Sequence, residues 1–156
     1  MGEISIFPGS GIRITNATWH DLRELYQLEK LCFQVDAWPV LDVLGVLTLP
    51  QILRLKAVDD HKMVGFIAAD LRRTQQAAWI ATFAVHPDYR KSGIGSGLLE
   101  TCESQINLPR IKLNVRQSNH AAIQLYQKHS YLQVDIWPAY YRGGDDALVF
   151  EKNLLG

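Results

Sequence analysis

Val85-His86-Pro87-Asp88-Tyr89-Arg90-Lys91-Ser92-Gly93-Ile94-Gly95-Ser96-Gly97-Leu98-Leu99 decides how this chain is read. Upstream, Ala77 to Val85 is rich in β-formers and nearly all apolar, the pattern of a strand buried on both faces. Downstream, Ile94 to Ile106 carries Leu98, Leu99, Cys102 and Ile106 on one helical face. Between them lies a loop dense in glycine and basic residues. Free backbone N–H groups at a helix N-terminus bind anions, and the macrodipole reinforces them. Glycines let a phosphate approach the backbone, and Arg90 and Lys91 add positive charge there. The stretch therefore predicts a phosphate or pyrophosphate cradle. It is not a P-loop, because no Lys-Ser or Lys-Thr follows the glycines. It is not a dinucleotide fingerprint either, because Gly93, Gly95 and Gly97 come late in the chain and well past the strand.

Working outward, hydrophobic periodicity predicts a succession of short elements. Residues 1–11, with Pro8, Gly9 and Gly11, read as a loose arm. Ile12 to Thr15 alternates as a short strand. Thr18 and Asp21 stand at capping-box spacing before a helix with Leu22, Leu25, Leu28 and Cys32 on one face, ending near Phe33. A shorter helix runs from Val40 to Leu47. Ile52 to Val58 and Met63 to Leu71 form a hairpin across the turn at 59–62. After the glycine loop and its helix come a strand at 111–115 and a helix capped by Ser118 or Asn119. Strands at 131–137 and 147–153 finish the chain. This order predicts an α/β (α+β) domain over 12–156, with a central mixed, mostly antiparallel sheet and helices on both faces.

Composition narrows the function. With 156 residues, the chain is long enough for one domain with its own core. Lys plus Arg and Asp plus Glu number 16 each, so the net charge is zero. That argues against nucleic-acid binding driven by overall charge. Cys32 and Cys102 sit apart in helical segments, so a disulfide framework is not expected and the chain reads as cytoplasmic. No apolar run reaches the roughly 18 residues needed to span a bilayer, and no membrane partner is expected. The five histidines show no ligand spacing, so no metal site is expected.

The same residues carry a family resemblance. Arg90-Lys91-Ser92-Gly93-Ile94-Gly95 resembles the Arg/Gln-x-x-Gly-x-Gly/Ala signature of the GNAT superfamily of N-acetyltransferases. A second block, Leu113-Asn114-Val115-Arg116-Gln117-Ser118-Asn119 with Ala121 to Ile123 and Leu125-Tyr126, is similar too. So is a third, Tyr140 to Ala147. Together the blocks look most like the ribosomal-protein-alanine and protein N-terminal acetyltransferases. The resemblance implies a GNAT-like fold and acetyl-CoA as acetyl donor. The loop backbone of Arg90, Lys91, Ser92, Gly93, Ile94, Gly95 and Ser96 would hold the pyrophosphate. The pantetheine arm would lie along the strand Ala81 to Val85, with Phe83, Ala84, Val85, Asn119 and Ala122 contacting the coenzyme. Tyr126 corresponds to the tyrosine beside the coenzyme sulfur, placed to protonate the leaving thiolate.

The departure from the family is Asn114, where the ribosomal-protein-alanine relatives carry a glutamate base. An amide cannot accept the amine proton at a useful pKa. Glu29, His86 or a water chain ordered by Asn114 are the remaining routes for that proton. An α-amine, with pKa near 8, is already partly neutral at physiological pH. Tyr140 and Tyr141 correspond to a tyrosine pair that lines a peptide groove, and Trp38 borders the acceptor side. The expected activity is acetyl transfer to a primary amine, in the first place a protein or peptide N-terminus. A small-molecule amine acetyltransferase and a non-catalytic acyl-CoA sensor are the rivals. An exposed final strand suggests a homodimer.

Overall fold

The computed structural model describes residues 3–6 and 11–155, except the side chains of 3–6 and of residue 35. Among the described residues, eight strands form one sheet in the order β1-β2-β3-β4-β5-β6-β8-β7. They are β1 Glu3–Ile6, β2 Ile12–Asn16, β3 Ile52–Asp59, β4 Lys62–Arg72, β5 Ala77–Val85, β6 Arg110–Arg116, β7 Leu132–Trp137 and β8 Ala147–Asn153. The α-helices are α1 Leu22–Phe33, α2 Val40–Thr48, α3 Ile94–Gln105 and α4 His120–Lys128. Every neighbouring pair is antiparallel except β5 and β6.

Two expectations are corrected. Within the expected arm, Glu3–Ile6 is a strand that pairs with β2, Ser5 opposite Ile14 and Ile6 opposite Arg13. Four residues carry too little periodicity to reveal a strand, and the open hydrogen-bonding edge of β2 is what recruits them. The other arm positions, 1–2 and 7–10, lie outside the described residues. The final strand is not an edge: β8 lies between β6 and β7, and β7 is the edge at that end.

The helices cover the sheet in two layers. α1 and α2 pack Leu25, Leu28, Val43, Val46 and Leu47 against Phe66, Ala68 and Ala84. Each large aliphatic side chain so buried stabilises by about 1.5–3 kcal/mol relative to exposure. α3 packs Ile94, Leu98, Leu99 and Cys102 on the opposite face, with Tyr126 of α4 in the same cluster. Gly65 on β4 sets how closely α3 approaches, since a Cβ there would lie 2.8 Å from Leu98 Cδ1 and 3.1 Å from Ile94 Cγ2. Thr18 caps as its spacing predicts, its side chain accepting from His20 N–H while Asp21 accepts from Thr18 N–H at 2.8 Å. The cap opens a 3₁₀ turn, Trp19–Asp21, from which α1 continues.

Two irregularities in β5 create the site. First, β5 and β6 pair only through Ala77, Ala78 and Trp79, opposite Arg110, Ile111 and Lys112, and separate beyond them. Second, the β4–β5 register shifts between Ala68–Thr82 and Ala69–Ile80, which leaves Ala81 as an extra residue. Such a bulge inverts the alternation of faces. Trp79 points to the α1 side of the sheet, and after the bulge Thr82 and Ala84 do so as well. Phe83 is sent to the α3 side.

Candidate active site

The glycine loop has the backbone of an anion cradle. Lys91 and Gly93 both have positive φ, 61° and 89°. Gly93 is the N-cap of α3 and supplies no side-chain cap. The first intrahelical bond runs from Gly97 N–H to Gly93 C=O at 2.9 Å, so the N–H groups of Ile94, Gly95 and Ser96 have no carbonyl within the helix. No acidic residue stands in the first turn of α3 to compete for them. A Cβ on Gly95 would lie 3.4 Å from Leu125 and 3.8 Å from Phe83 and Val85, which puts this turn between α4 and β5. Ser96 is anchored by its Oγ, 2.9 Å from His129 Nε2. Arg90 folds back on the strand, its Nε donating to Val85 C=O at 3.2 Å, and Ser92 Oγ donates to Tyr89 C=O.

The separation of β5 from β6 frees backbone groups beside this cradle. His86 N–H donates to Val64 C=O on β4 at 2.8 Å. Alternation then turns the backbone groups of Phe83 and Val85 away from β4, toward the gap. Val85 C=O accordingly accepts from Arg90 and from Cys32 Sγ rather than from a strand. An extended ligand entering the gap finds a ready sheet edge.

Glu29 projects from α1 under the bulge. It is 1% exposed. Thr82 Oγ1 donates to its Oε2 at 2.5 Å. Its Oε1 is buried with no hydrogen-bond partner among the described residues. Burial pushes this carboxyl above the usual range, and the Thr82 bond offsets part of that. Thr82 carried no motif signal, because only the bulge brings it to the α1 side.

Tyr126 on α4 is buried against Phe83, Tyr131 and Phe150, with ring centroids 6.2, 5.7 and 6.2 Å away. Burial, and secondarily the nearby Tyr141 hydroxyl, push its phenol well above the ordinary tyrosine value. A phenol is protonated at neutral pH even at its ordinary value, and the shift makes it a weaker acid. Asn119 is the N-cap of α4, its Oδ1 accepting from Ala122 N–H at 3.2 Å. That occupies the carbonyl and leaves the amide NH₂ as its free donor.

At the far side of the gap, Asn114 Nδ2 donates to Tyr141 Oη at 2.9 Å. The structure thus engages Asn114 in holding Tyr141. Arg116, two residues along β6, lies 4.6 Å from the centre of the Tyr141 ring. Its guanidinium pairs with Asp36 after α1 and with Asp145 of the β7–β8 loop at 3.1 Å. The Asp36 bond is the main reason its pKa is raised. Ser118 Oγ and Arg116 together hold Asp145 below its usual value. Arg116 and Asp36 were missed in the sequence, since neither acts until three separate segments meet. Tyr140 is 56% exposed and its ring stands edge-on to Tyr141 at 5.0 Å. Trp38 packs against the α1–α2 core cluster.

His86 is not placed with these groups. Its Nδ1 accepts from Asp88 N–H at 3.1 Å. The residue lines a separate cleft with Glu24, Gln27, Leu28, Leu31, Lys62 and Met63. The residue before a proline caps the following turn here, and that role consumes its imidazole lone pair.

A strand pair opened into a gap, with an uncapped glycine-rich helix start at its end, leaves backbone groups free for an extended, phosphate-bearing ligand. Residues 19–131 match the model of the acetyltransferase (GNAT) family. This chain is a GNAT acetyltransferase. It is 26% identical to an N-alpha-acetyltransferase of Saccharolobus solfataricus, over 94% of this chain and 95% of that one. It is 28% identical to N-alpha-acetyltransferase daf-31 of Caenorhabditis elegans, over 89% of this chain and 75% of the relative. The ribosomal-protein-S18-alanine N-acetyltransferase of Escherichia coli superposes with a TM-score of 0.84 at 25% identity, covering 92% of this chain and 94% of that one. Arabidopsis thaliana NAA60, solved in complex with acetyl-CoA, superposes at 0.80 and 23% identity, covering 93% and 99%. The mixed sheet with helices on both faces is the GNAT fold, and the chain is an N-acetyltransferase that uses acetyl-CoA as donor. Among the described residues, no group of three or more His, Cys, Asp or Glu could hold a metal. No helix among them is long and apolar enough to cross a membrane.

Proposed function

We propose that this GNAT enzyme acetylates the N-terminal amine of a protein or peptide, transferring the acetyl group directly from acetyl-CoA. The observation that carries the reading is Tyr141 Oη held at 2.9 Å by Asn114 at the open side of the β5–β6 gap, with Tyr140 beside it. That pair offers hydroxyls to a peptide backbone, and the N-alpha-acetyltransferase relatives support the choice of acceptor. The uncapped N–H groups of Ile94, Gly95 and Ser96 hold the pyrophosphate, with the loop from Arg90 to Gly93. The gap-facing groups of Phe83 and Val85 align the pantetheine and polarise the thioester carbonyl as an oxyanion hole does.

The reaction forms a C–N bond and breaks a C–S bond. The amine must lose a proton and the departing thiolate must gain one. Glu29 Oε1, buried and unpartnered, receives the amine proton directly or through one water. Asn114, which has no basicity, positions Tyr141. Tyr126, protonated at neutral pH, supplies the proton to the sulfur.

CoA release from acetyl-CoA tests the reading across short peptides with free N-termini, the same peptides N-blocked, and small primary amines. Turnover of free peptides alone is expected. Turnover of small amines alone would refute the peptide acceptor while leaving the transferase intact.

A further inference from the structure

The α1–α2 layer stops at β5, and its core cluster contains no residue of β6, β7 or β8. On that uncovered face the sheet carries aromatic rings instead. From Tyr141, ring centroids step 5.0 Å to Tyr140, 5.2 Å to Trp137 and 5.9 Å to Trp79. Ala147 and Val149, on this face, are 0% and 2% exposed yet belong to neither helix-packed cluster. Cations flank the far end of the row. Arg72 and Lys112 lie 5.4 and 5.2 Å from the Trp79 ring centre. Arg72 pairs with Asp70, and Arg110 and Lys112 share Glu151, so three cations meet two carboxylates.

We propose that this row is the track for the acceptor polypeptide beyond its first residues, and that it favours an acidic side chain at the Trp79 end. The inference rests on the peptide-acceptor reading above. The row is continuous with Tyr140 and Tyr141, so a chain whose amine is in the gap leaves directly onto it. The three ring steps set an upper limit of roughly five residues of extended chain at ~3.3 Å each. Aromatic rings suit an extended backbone with mixed side chains, and the surplus positive charge selects among sequences.

The test is the KM of the intact enzyme for peptides of one N-terminal sequence, three to ten residues long, with Glu or Lys at positions five to seven. KM is expected to fall at least fivefold between four and eight residues, further for Glu than for Lys, with the Glu advantage shrinking at high salt. Trp137→Ala is expected to bring the long-to-short KM ratio close to one, and Lys112→Glu to reverse the Glu-over-Lys preference. Melting temperature and near-ultraviolet circular dichroism check that both variants fold. Peptides acetylated with one KM at every length would overturn the track and leave the peptide acceptor standing. No peptide acetylated at all would instead refute the acceptor reading beneath it. A wild-type dimer in sedimentation that Trp137→Ala splits would show the face covering a second copy, and would also overturn the proposal.

Discussion

Glu29→Gln is expected to move stability and rate in opposite directions. Glu29 is 1% exposed, one oxygen is satisfied by Thr82, and the other has no partner. A buried unsatisfied acceptor costs about 1–3 kcal/mol, and more when it carries charge. Glutamine keeps the shape and can still accept from Thr82 through its carbonyl; it removes the buried charge, while the smaller cost of an unpartnered neutral NH₂ remains at the Oε1 position. A gain of about 1 kcal/mol follows, read as a rise of roughly 2–4 °C in melting temperature for a chain of this size. The gain depends on pH. Because the folded-state pKa of Glu29 lies above its unfolded value, the folded protein binds more protons in between. Wild-type stability therefore falls as pH rises through that window and is level above it. The variant lacks that fall, so its advantage appears above the window and vanishes below the unfolded value near 4.3. Loss of a general base costs about 10²–10⁴-fold in rate. With an α-amine pKa near 8, the neutral fraction rises about tenfold from pH 7 to pH 9, and the deficit shrinks accordingly. Thermal melts at pH 4 and pH 8, with kcat from pH 6.5 to 9.5, read both effects. A lower melting temperature at pH 8 would show that the unpartnered amide costs more than the buried charge it replaces, and would refute the expected gain. An unchanged kcat at pH 7 would remove Glu29 from the proton path.

Tyr126→Phe is expected to lower kcat about 100-fold while the acetyl-CoA dissociation constant, measured by calorimetry, stays within twofold. Because the phenol is raised by burial, the wild-type rate is expected to show no alkaline fall near pH 10. Asn114→Ala releases Tyr141 and is expected to raise the acceptor KM about tenfold, the equivalent of one hydrogen bond of 1–1.5 kcal/mol, with acetyl-CoA affinity unchanged. A loss confined to kcat would instead place Asn114 in the proton path. Gly65→Ala forces a Cβ to 2.8 Å from Leu98. Overpacking of about 1–3 kcal/mol is expected, with weaker acetyl-CoA binding as α3 is pushed off β4. Full stability with unchanged binding would show that α3 yields freely.

The local elements were legible because their signals are local. Helix α2 is expected from 40 to 47 and found at Val40–Thr48. The capping pair Thr18 and Asp21 works as spacing predicts, and the uncapped start of α3 follows from Gly93, Gly95 and Gly97 alone. By contrast, β1 was illegible, since four residues gain strand character only from the edge they join. The order that buries β8 and exposes β7 was illegible for the same reason.

The sequence by itself determined the GNAT family, a glycine-rich helix start with free N–H groups, and the residue types available for chemistry. Those depend on backbone freedom and helix-end charge within a run of about fifteen residues. The tertiary structure alone decided which side chains meet. The extra residue at Ala81 brings Thr82 to Glu29, and the early parting of β5 from β6 opens the backbone of Phe83 and Val85. Arg116 gathers Asp36 from after α1 and Tyr141 and Asp145 from the β7–β8 loop, two segments distant from it in sequence. A one-residue change of register sends every later side chain of a strand to the other face, and only the pairing with a neighbouring strand fixes that register.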